Sequence, residues 1–469
     1  MRKPMLGLVL ASPLALALAW GICHPPVLGA GDEPPAEESK PPTTWTTAVE
    51  PKPLSPQVQK GLKWLVEHQN QDGGWSQGEE SPQMGHSGDT VRDKSNIADT
   101  CIAALALIRS GSSPTSGPYK DAIARAVRFV RSHIEAADSA SMAVTTIQGT
   151  RVQQKLGPHI DTFMAMLLMA EVKGRMTDEP GNQAVEVALN KVLGKIKRNQ
   201  KADGTWDMQA GWAPALAQFV GGKGLNRARQ AGTPIAEETL ARAESYAKMQ
   251  VAQMDITRAS GGSIATEPAG KPLAQSGGYG GLAGPGRAVS APTATSRPIS
   301  GAGTAGVELY GRAASLGVLQ DSVNTNATLE KEAQKKLAEA KDDKDRDEAR
   351  RTLSRFEEVK KVHRDALEAT LARLDDKQFV AGFGSNGGEE FLSYMGISEA
   401  LVVKGGPDWK RWDDAMTSNL NRVQNQDGSW SGHHCITGRT FCTATALLVL
   451  MADRTPVPVA AKEKEKETR

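Results

Sequence analysis

The sequence predicts an all-α fold built from helical hairpins, and three features indicate it. A polar turn in which Gln precedes Asp-Gly-x-Trp occurs three times, at 69–75, 200–206 and 424–430. Each copy follows an amphipathic helix pattern. A second pattern, rich in small and apolar residues, recurs at long intervals and is typical of a helix buried on most sides. Repeats of this length indicate stacked or ring-closed helical units.

The residues of the turn have separate predicted roles, shown here for the last copy. Asp427 and Gly428 supply a tight turn, because Gly tolerates positive φ and Asp bonds to its own backbone. The amide of Gln424 can satisfy carbonyl groups left open at a helix end. Trp430 covers that end with a large apolar ring. The three turn tryptophans are therefore predicted to be structural.

The helix patterns alternate along the chain between an amphipathic and an apolar type. The amphipathic helices are predicted at about 56–70, 118–135, 182–200, 236–252, 328–374 and 409–424, and the apolar helices at about 97–110, 159–173, 209–221, 305–319, 390–403 and 438–452. These twelve helices would form six hairpins.

The combination of turn and helices resembles the prenyltransferase and squalene-cyclase repeat of the terpenoid cyclase and protein prenyltransferase family, with its Q-x-x-D-G-x-W signature. The resemblance implies an α/α toroid of six outer-inner hairpins around a central funnel, covering residues 54–455. Two segments interrupt this plan. Residues 260–306 are rich in Gly, Pro, Ser, Ala and Thr and are predicted to be a flexible loop. Residues 328–376 are predicted to be a long charged helical insertion.

The N-terminal segment predicts export. Residues 1–30 have a basic start and a short apolar run, which predicts a signal peptide and a periplasmic, cell-surface or secreted location. An uncleaved membrane anchor is the alternative, and it would be the one predicted membrane contact. Residues 31–53 are predicted to be a disordered linker and residues 456–469 a disordered charged tail.

Composition argues against a nucleic-acid partner. Lys plus Arg number 56 and Asp plus Glu number 54, so the chain has no basic excess. Aromatic residues make up only 5%, too few for base-stacking surfaces.

The resemblance implies three kinds of chemistry, but the sequence lacks the motif that each of them needs. Squalene-type cyclases need an Asp-x-Asp-Asp run, which the sequence lacks. Protein prenyltransferases hold zinc with Asp-x-Cys on one inner helix and a His on a later one. Here the corresponding helix begins GGEEF, and Cys442 stands at the position of that His. A complement-type thioester needs Cys-Gly-Glu-Gln, and GGEE lacks both the Cys and the Gln.

Eight residues are predicted to lie where inner helices meet the mouth of the funnel: Asp99, His159, Asp161, Trp212, Glu390, His434, Cys435 and Cys442. Asp99 and Asp161 open two inner helices and are interpreted as first-turn acids. The alternative is a carboxylate pair acting on a polysaccharide. Trp212 is interpreted as core packing, with funnel lining as the alternative.

The sequence does not decide the chemical state of the last four candidates, Glu390, His434, Cys435 and Cys442. A rebuilt metal site from Glu390, Cys442 and one of His433, His434 or Cys435 is conceivable. A Cys435–Cys442 disulfide and two free thiols are the alternatives. The interpretation adopted assigns no metal and no cofactor.

The functional hypothesis is an exported, non-catalytic toroid that binds an unknown ligand or protein partner in its funnel or on its rim. It follows from the missing cyclase, zinc and thioester motifs. An enzyme of the same superfamily, with an isoprenoid or polysaccharide substrate and a non-standard site, is the alternative. A purely structural envelope protein is a third possibility.

Overall fold

The structure is a computed structural model that describes residues 45–81, 89–206, 213–259, 301–384 and 386–460. The predicted signal peptide, the loop over 260–300, the end of the charged tail and Trp212 lie outside the described residues.

Helices dominate the described chain. In chain order the elements are β1 (Trp45–Thr47), α1 (Pro56–Glu67), α2 (Asp89–Arg92), α3 (Ile97–Arg109), α4 (Lys120–Ala136), α5 (Arg151–Leu156), α6 (Ile160–Val172), α7 (Glu179–Asn199), α8 (Pro214–Gln230), α9 (Glu237–Ala259), α10 (Gly301–Glu339), α11 (Asp343–Leu371), α12 (Lys377–Ala381), α13 (Gly388–Lys404), α14 (Gly406–Val423), α15 (Arg439–Leu450) and β2 (Pro456–Pro458).

Six helical hairpins form a closed ring. The outer helices are α1, α4, α7, α9, α11 and α14, and the inner helices are α3, α6, α8, α10, α13 and α15. Each inner helix packs against the next, and α15 packs against α3. Helix α1 also packs against α15, so the first hairpin joins the last. The predicted all-α toroid is confirmed.

The signature glutamines tie neighbouring hairpins together. Each donates its amide to the carbonyl of the turn glycine four residues later and to a carbonyl near the start of the next outer helix. The pairs are Gln69 with Gly73 and Ala122, Gln200 with Gly204 and Thr239, and Gln424 with Gly428 and Gln57. Because Gln57 lies in α1, the last glutamine bonds the final hairpin to the first.

The turn glycines are required by both conformation and space. Gly73, Gly204 and Gly428 have φ values of 90°, 85° and 96°. A Cβ at Gly204 would lie 2.0 Å from the Arg242 carbonyl oxygen of the next outer helix, α9. The hairpins can therefore approach each other this closely only where the turn has no side chain.

The turn tryptophans are buried and hydrogen-bonded. Trp75, Trp206 and Trp430 are at most 1% exposed. Each indole N–H donates to the carbonyl ten residues earlier, at 2.7, 2.9 and 2.8 Å. That carbonyl lies at the end of the outer helix of the same hairpin, so the ring closes the helix end as predicted.

The structure differs from the sequence prediction in three places. Residues 45–47 and 456–458, assigned to a disordered linker and tail, form the antiparallel pair β1–β2. Both segments are ordered because they pack on the ring. The Arg227 guanidinium lies 4.6 Å from the centre of the Trp45 ring, and the Val457 side chain is buried. The charged insertion is a helical hairpin in which the inner helix α10 runs on to Glu339 and packs against α11. Residues 301–306, predicted as loop, begin α10.

No helix in the described part of the chain combines the length and the apolar character that a membrane crossing requires.

Candidate functional site

The centre of the ring is filled by side chains. The cavity there has a volume of only about 10 Å³. Its apolar wall comes from five inner helices and consists of Ile102, Leu105, Met164, Leu167, Val220, Met395 and Leu448. A space of this size holds about one water molecule. The open funnel that the resemblance implied is therefore not formed by the described residues, because long apolar side chains occupy it.

One end of the ring is closed by buried ion pairs. Lys223 on α8 bonds to Glu399 on α13 at 2.5 Å and to Asp321 on α10 at 2.9 Å. Arg109 on α3 reaches the same Glu399 at 3.2 Å. Burial opposes ionisation of Glu399, but the charges of Lys223 and Arg109 lower its pKa to about 2. This network holds inner helices α3, α8, α10 and α13 together by charge.

The strand pair β1–β2 covers the same end. Arg227 on α8 forms an ion pair with Glu171 on α6 at 3.1 Å and donates to the Pro456 carbonyl at 2.9 Å. Arg109 donates to the Thr455 hydroxyl at 2.5 Å. The ring is thus sealed at the end where the inner helices finish, and the opposite end, where they begin, is the mouth.

Two predicted acids lie at this mouth and are held inside the protein. Asp99 accepts from the Asn96 amide at 2.7 Å, and Asp161 accepts from the Ala98 N–H at 3.0 Å and from the Gln153 amide at 2.7 Å. Burial raises the pKa of Asp99 to about 7, and the Asp161 charge adds to the effect. Burial likewise raises the pKa of Asp161 to about 6. These bonds fit the structural interpretation of both acids.

A second group of acids begins α13. Glu389 and Glu390 are fully buried, at 1% and 0% exposure. Glu390 accepts from the Tyr310 hydroxyl at 2.6 Å and from the Phe383 N–H at 3.2 Å, both on Oε1. Glu389 accepts from the Ile436 N–H at 3.0 Å. Burial and the neighbouring Glu390 charge raise the pKa of Glu389 to about 7.

The loop before α15 brings a histidine and a cysteine to these acids. His434 Nε2 lies 3.0 Å from Glu390 Oε2. One ligand atom each of Glu389, His434 and Cys435 lies within 4.8 Å of the other two. Burial would lower the pKa of His434, but the Cys435 and Glu390 side chains raise it to about 10. This group of three is the arrangement among the described residues that could hold a metal ion.

The two thiols of this region differ. Both are free in the structure, so they do not form the disulfide considered from the sequence. Cys442 is fully buried, and its thiol donates to the Ile436 carbonyl at 3.3 Å. Burial and the Glu389 charge raise its pKa well above the usual range. Cys435 is half-buried and has φ 55°, a conformation that costs a residue with a side chain roughly 1–2 kcal/mol.

The ligand set of the prenyltransferase zinc site does not fit this chain. Cys442 stands where the histidine ligand would be, but its sulfur bonds to the Ile436 carbonyl. The preceding inner helix offers Glu389 and Glu390 where that set needs Asp-x-Cys. The rebuilt set with Glu390 and Cys442 is also not the one assembled, because Glu389 and Cys435 join His434 instead.

The other candidates that the structure describes do not form a single group. His159 is half-buried at the N-terminal end of α6 and makes no capping bond with its side chain. Trp212 lies outside the described residues. The acids Asp99 and Asp161 lie at α3 and α6, whereas Glu390, His434, Cys435 and Cys442 group at α13 and α15.

Sequence reasoning missed several residues of the site. Tyr310 and Glu389 contact the acid cluster but were not among the candidates. The ion-paired residues at the sealed end were also missed. Their signal was available, since Glu171 and Glu399 interrupt otherwise apolar inner helices.

A second cavity lies beside the first signature turn. It has a volume of about 540 Å³ and lies between the first signature turn and the end of α4. Its walls include Asp72, Lys94, Phe129 and His133. None of the residues that line it belongs to α13 or to the loop before α15.

Comparison with known proteins bears on the fold. Residues 44–153 match the family model for the squalene-hopene cyclase C-terminal domain. No curated protein and no solved structure matches the chain significantly. The matched segment contains the first signature turn and helices α1, α3 and α4. Over these residues the chain therefore carries the repeat of the terpenoid cyclase and prenyltransferase family, and the resemblance predicted from the turn signature is confirmed.

Proposed function

We propose that the protein is an exported toroid that binds a ligand or a protein partner at the mouth where its inner helices begin, without a catalytic step of its own. The observation that carries this proposal is the filled centre of the ring, with a cavity of about 10 Å³. A buried polyprenyl chain would need a pocket of several hundred Å³. Binding at the rim of the mouth needs no such pocket.

The missing motifs support the same conclusion. A cyclase keeps one acid of an Asp cluster protonated to start the reaction, and the sequence has no Asp-x-Asp-Asp run. The two acids at α3 and α6, Asp99 and Asp161, are buried and hydrogen-bonded within the protein. Neither carboxylate is presented to a substrate.

Export rests on the N-terminal sequence. The basic start and the apolar run from Leu6 to Ile22 have the character of a secretory signal. Cell fractionation followed by N-terminal sequencing tests it. We expect the mature protein outside the cytoplasm with a new N-terminus near residue 19 or residue 30. Cytoplasmic protein that retains Met1 would overturn the proposal of export.

Binding at the mouth can be tested with a photo-cross-linking residue. Phe383 is 41% exposed, and its ring lies 6.4 Å from that of His434. Val187 on outer helix α7 is 58% exposed and serves as the control position. We expect one discrete cross-linked species from position 383 that excess unmodified protein competes away. Equal labelling from positions 383 and 187 would overturn the proposal.

An enzyme with its own kind of site is the second candidate. The observation that favours it is the cluster of buried acids with His434 and Cys435, since shifted pKa values gather at active sites. The test is turnover of farnesyl diphosphate, squalene or polysaccharide fragments. Product formation that Glu390→Gln abolishes and Asp99→Asn retains would replace the binding role with a catalytic one. Absence of product with all three substrate classes is expected for a binding protein.

A further inference from the structure

We propose that Glu389, His434 and Cys435 form a three-ligand site for a zinc-like divalent cation at the mouth, with a fourth position open to a bound ligand. A carboxylate oxygen, an imidazole nitrogen and a sulfur are donors that zinc accepts together. In the structure these atoms lie within 4.8 Å of one another. The site uses different residues from the prenyltransferase set, and it is independent of which partner the mouth binds.

The spacing fits a metal after small side-chain rotations. Ligand atoms at tetrahedral angles around zinc, each about 2.0–2.3 Å from it, lie about 3.5 Å apart. The separations of up to 4.8 Å need to close by about 1 Å. Rotation about side-chain bonds supplies that movement, because all three side chains face the same space between α13 and the loop before α15.

The backbone around the three donors is held in place. The Gly388 N–H donates to the Ile436 carbonyl at 2.9 Å, and the His433 N–H donates to the Asn386 carbonyl at 2.9 Å. These two bonds attach the loop to the N-terminal end of α13. Between them, Cys435 adopts its left-handed conformation. Such strain persists where the surrounding structure enforces it, and it is concentrated at functional sites.

A second layer of residues orients the histidine. Zinc-bound histidines commonly donate their other ring N–H to a carboxylate, which sets the ring orientation. Glu390 Oε2 forms an ion pair with His434 Nε2 at 3.0 Å, but neither atom makes a hydrogen bond, so a small rotation of the imidazole is needed for Glu390 to act in this way. Its other oxygen is held by the Tyr310 hydroxyl and the Phe383 N–H. Both ring nitrogens of His434 are buried and make no hydrogen bond to a described residue, and because Nε2 faces Glu390, Nδ1 is the nitrogen left for the metal.

Local charge also favours a cation. Glu389 and Glu390 are adjacent and buried, and two carboxylates in one buried site repel each other. A divalent ion that replaces the proton on His434 would offset that repulsion with a larger charge. Access is available, because His434 and Cys435 are only half-buried and border the mouth.

The test is zinc and cobalt binding by the full-length protein after removal of metal with a chelator. We expect one zinc per chain and, with Co²⁺, a thiolate-to-metal charge-transfer band. Bound zinc should protect Cys435 from alkylation. His434→Asn and Cys435→Ser should abolish stoichiometric binding, and Glu390→Gln should weaken it roughly 10–100-fold.

The chain supplies matched controls for these variants. His433 is an exposed imidazole next to His434, and Cys442 is a buried thiol in the same region. His433→Asn and Cys442→Ala should keep full zinc binding. Circular dichroism of each variant separates loss of metal from loss of fold. Failure of the wild-type protein to bind one equivalent, or equal binding by His434→Asn and His433→Asn, would overturn the proposal.

Discussion

Replacing Trp430 tests whether the last signature turn holds the ring closed. The indole is 0% exposed and donates to the Leu420 carbonyl at 2.8 Å. Its ring also packs on α1 of the first hairpin, since a Cβ built at Gly61 would lie 2.8 Å from the ring carbon Cζ3. One side chain thus covers the end of α14 and fills the seam between the last and first hairpins.

The size of the effect follows from these contacts. Trp430→Ala removes a fully buried ring and leaves a cavity, so the free energy of unfolding should fall by about 3–5 kcal/mol. Trp430→Phe keeps most of the apolar volume but leaves the buried Leu420 carbonyl without its donor. That loss should cost about 1–3 kcal/mol. The difference between the two variants measures packing apart from hydrogen bonding.

Urea denaturation at equilibrium measures both effects. The midpoint should fall while the slope of free energy against urea stays near the wild-type value. Trp206 occupies the same place in an interior turn, with its N–H 2.9 Å from the Ile196 carbonyl, and serves as the comparison. If Trp430→Ala lowers the free energy of unfolding by less than about 1 kcal/mol, the reasoning is refuted, because removal of a buried ring of this size costs several times more.

Three further perturbations test the ring, the sealed end and the mouth. Deletion of 438–452 should abolish the single cooperative unfolding transition, since α15 closes the ring against α3; a truncated protein that still unfolds cooperatively would indicate an open solenoid. Glu399→Gln should lower the free energy of unfolding by about 3–5 kcal/mol, because it leaves the buried Lys223 charge undercompensated. Glu135→Gln, which removes an exposed ion pair, should cost less than about 1 kcal/mol in the same denaturation assay. Asp99, with its pKa raised from 3.8 to about 7, stabilises the folded state below about pH 4 and loses that contribution as the pH rises through 7. Asp99→Asn should therefore flatten the fall in thermal stability between pH 4 and pH 7, and an unchanged profile would contradict the raised pKa.

The toroid could be predicted because its repeated turns depend on the local chemistry of a few neighbouring residues. An Asp-Gly turn, a helix-end Gln and a buried Trp recur because each hairpin must end its outer helix and turn tightly in the same way. The structure shows those groups repeated with nearly identical bonds at Trp75, Trp206 and Trp430. Positive φ at the turn glycines was predictable for the same reason. Periodicity placed eight of the twelve helices to within a few residues, but α8, α9 and α10 extend well beyond their predicted ends, and α11 begins at Asp343 where residue 328 was predicted.

The mouth was only partly predictable. Glu390, His434 and Cys435 were singled out because their residue types carry chemistry, and the structure brings them together. Tyr310 was not found, because it reaches Glu390 from α10, 80 residues away. No pattern within a single helix reports which residue of a distant helix will face it.

By itself, the sequence determined the helical hairpins, their turns and the resemblance to a repeat family, since each depends on neighbours a few residues apart. Tertiary structure alone decided that the ring centre is filled, that Lys223 and Glu399 seal one end, and that residues 45–47 pair with 456–458. Those outcomes depend on how side chains from distant segments share a small volume. Burial then set the charge states, as at Asp99, whose pKa rises because closing the ring removes it from water.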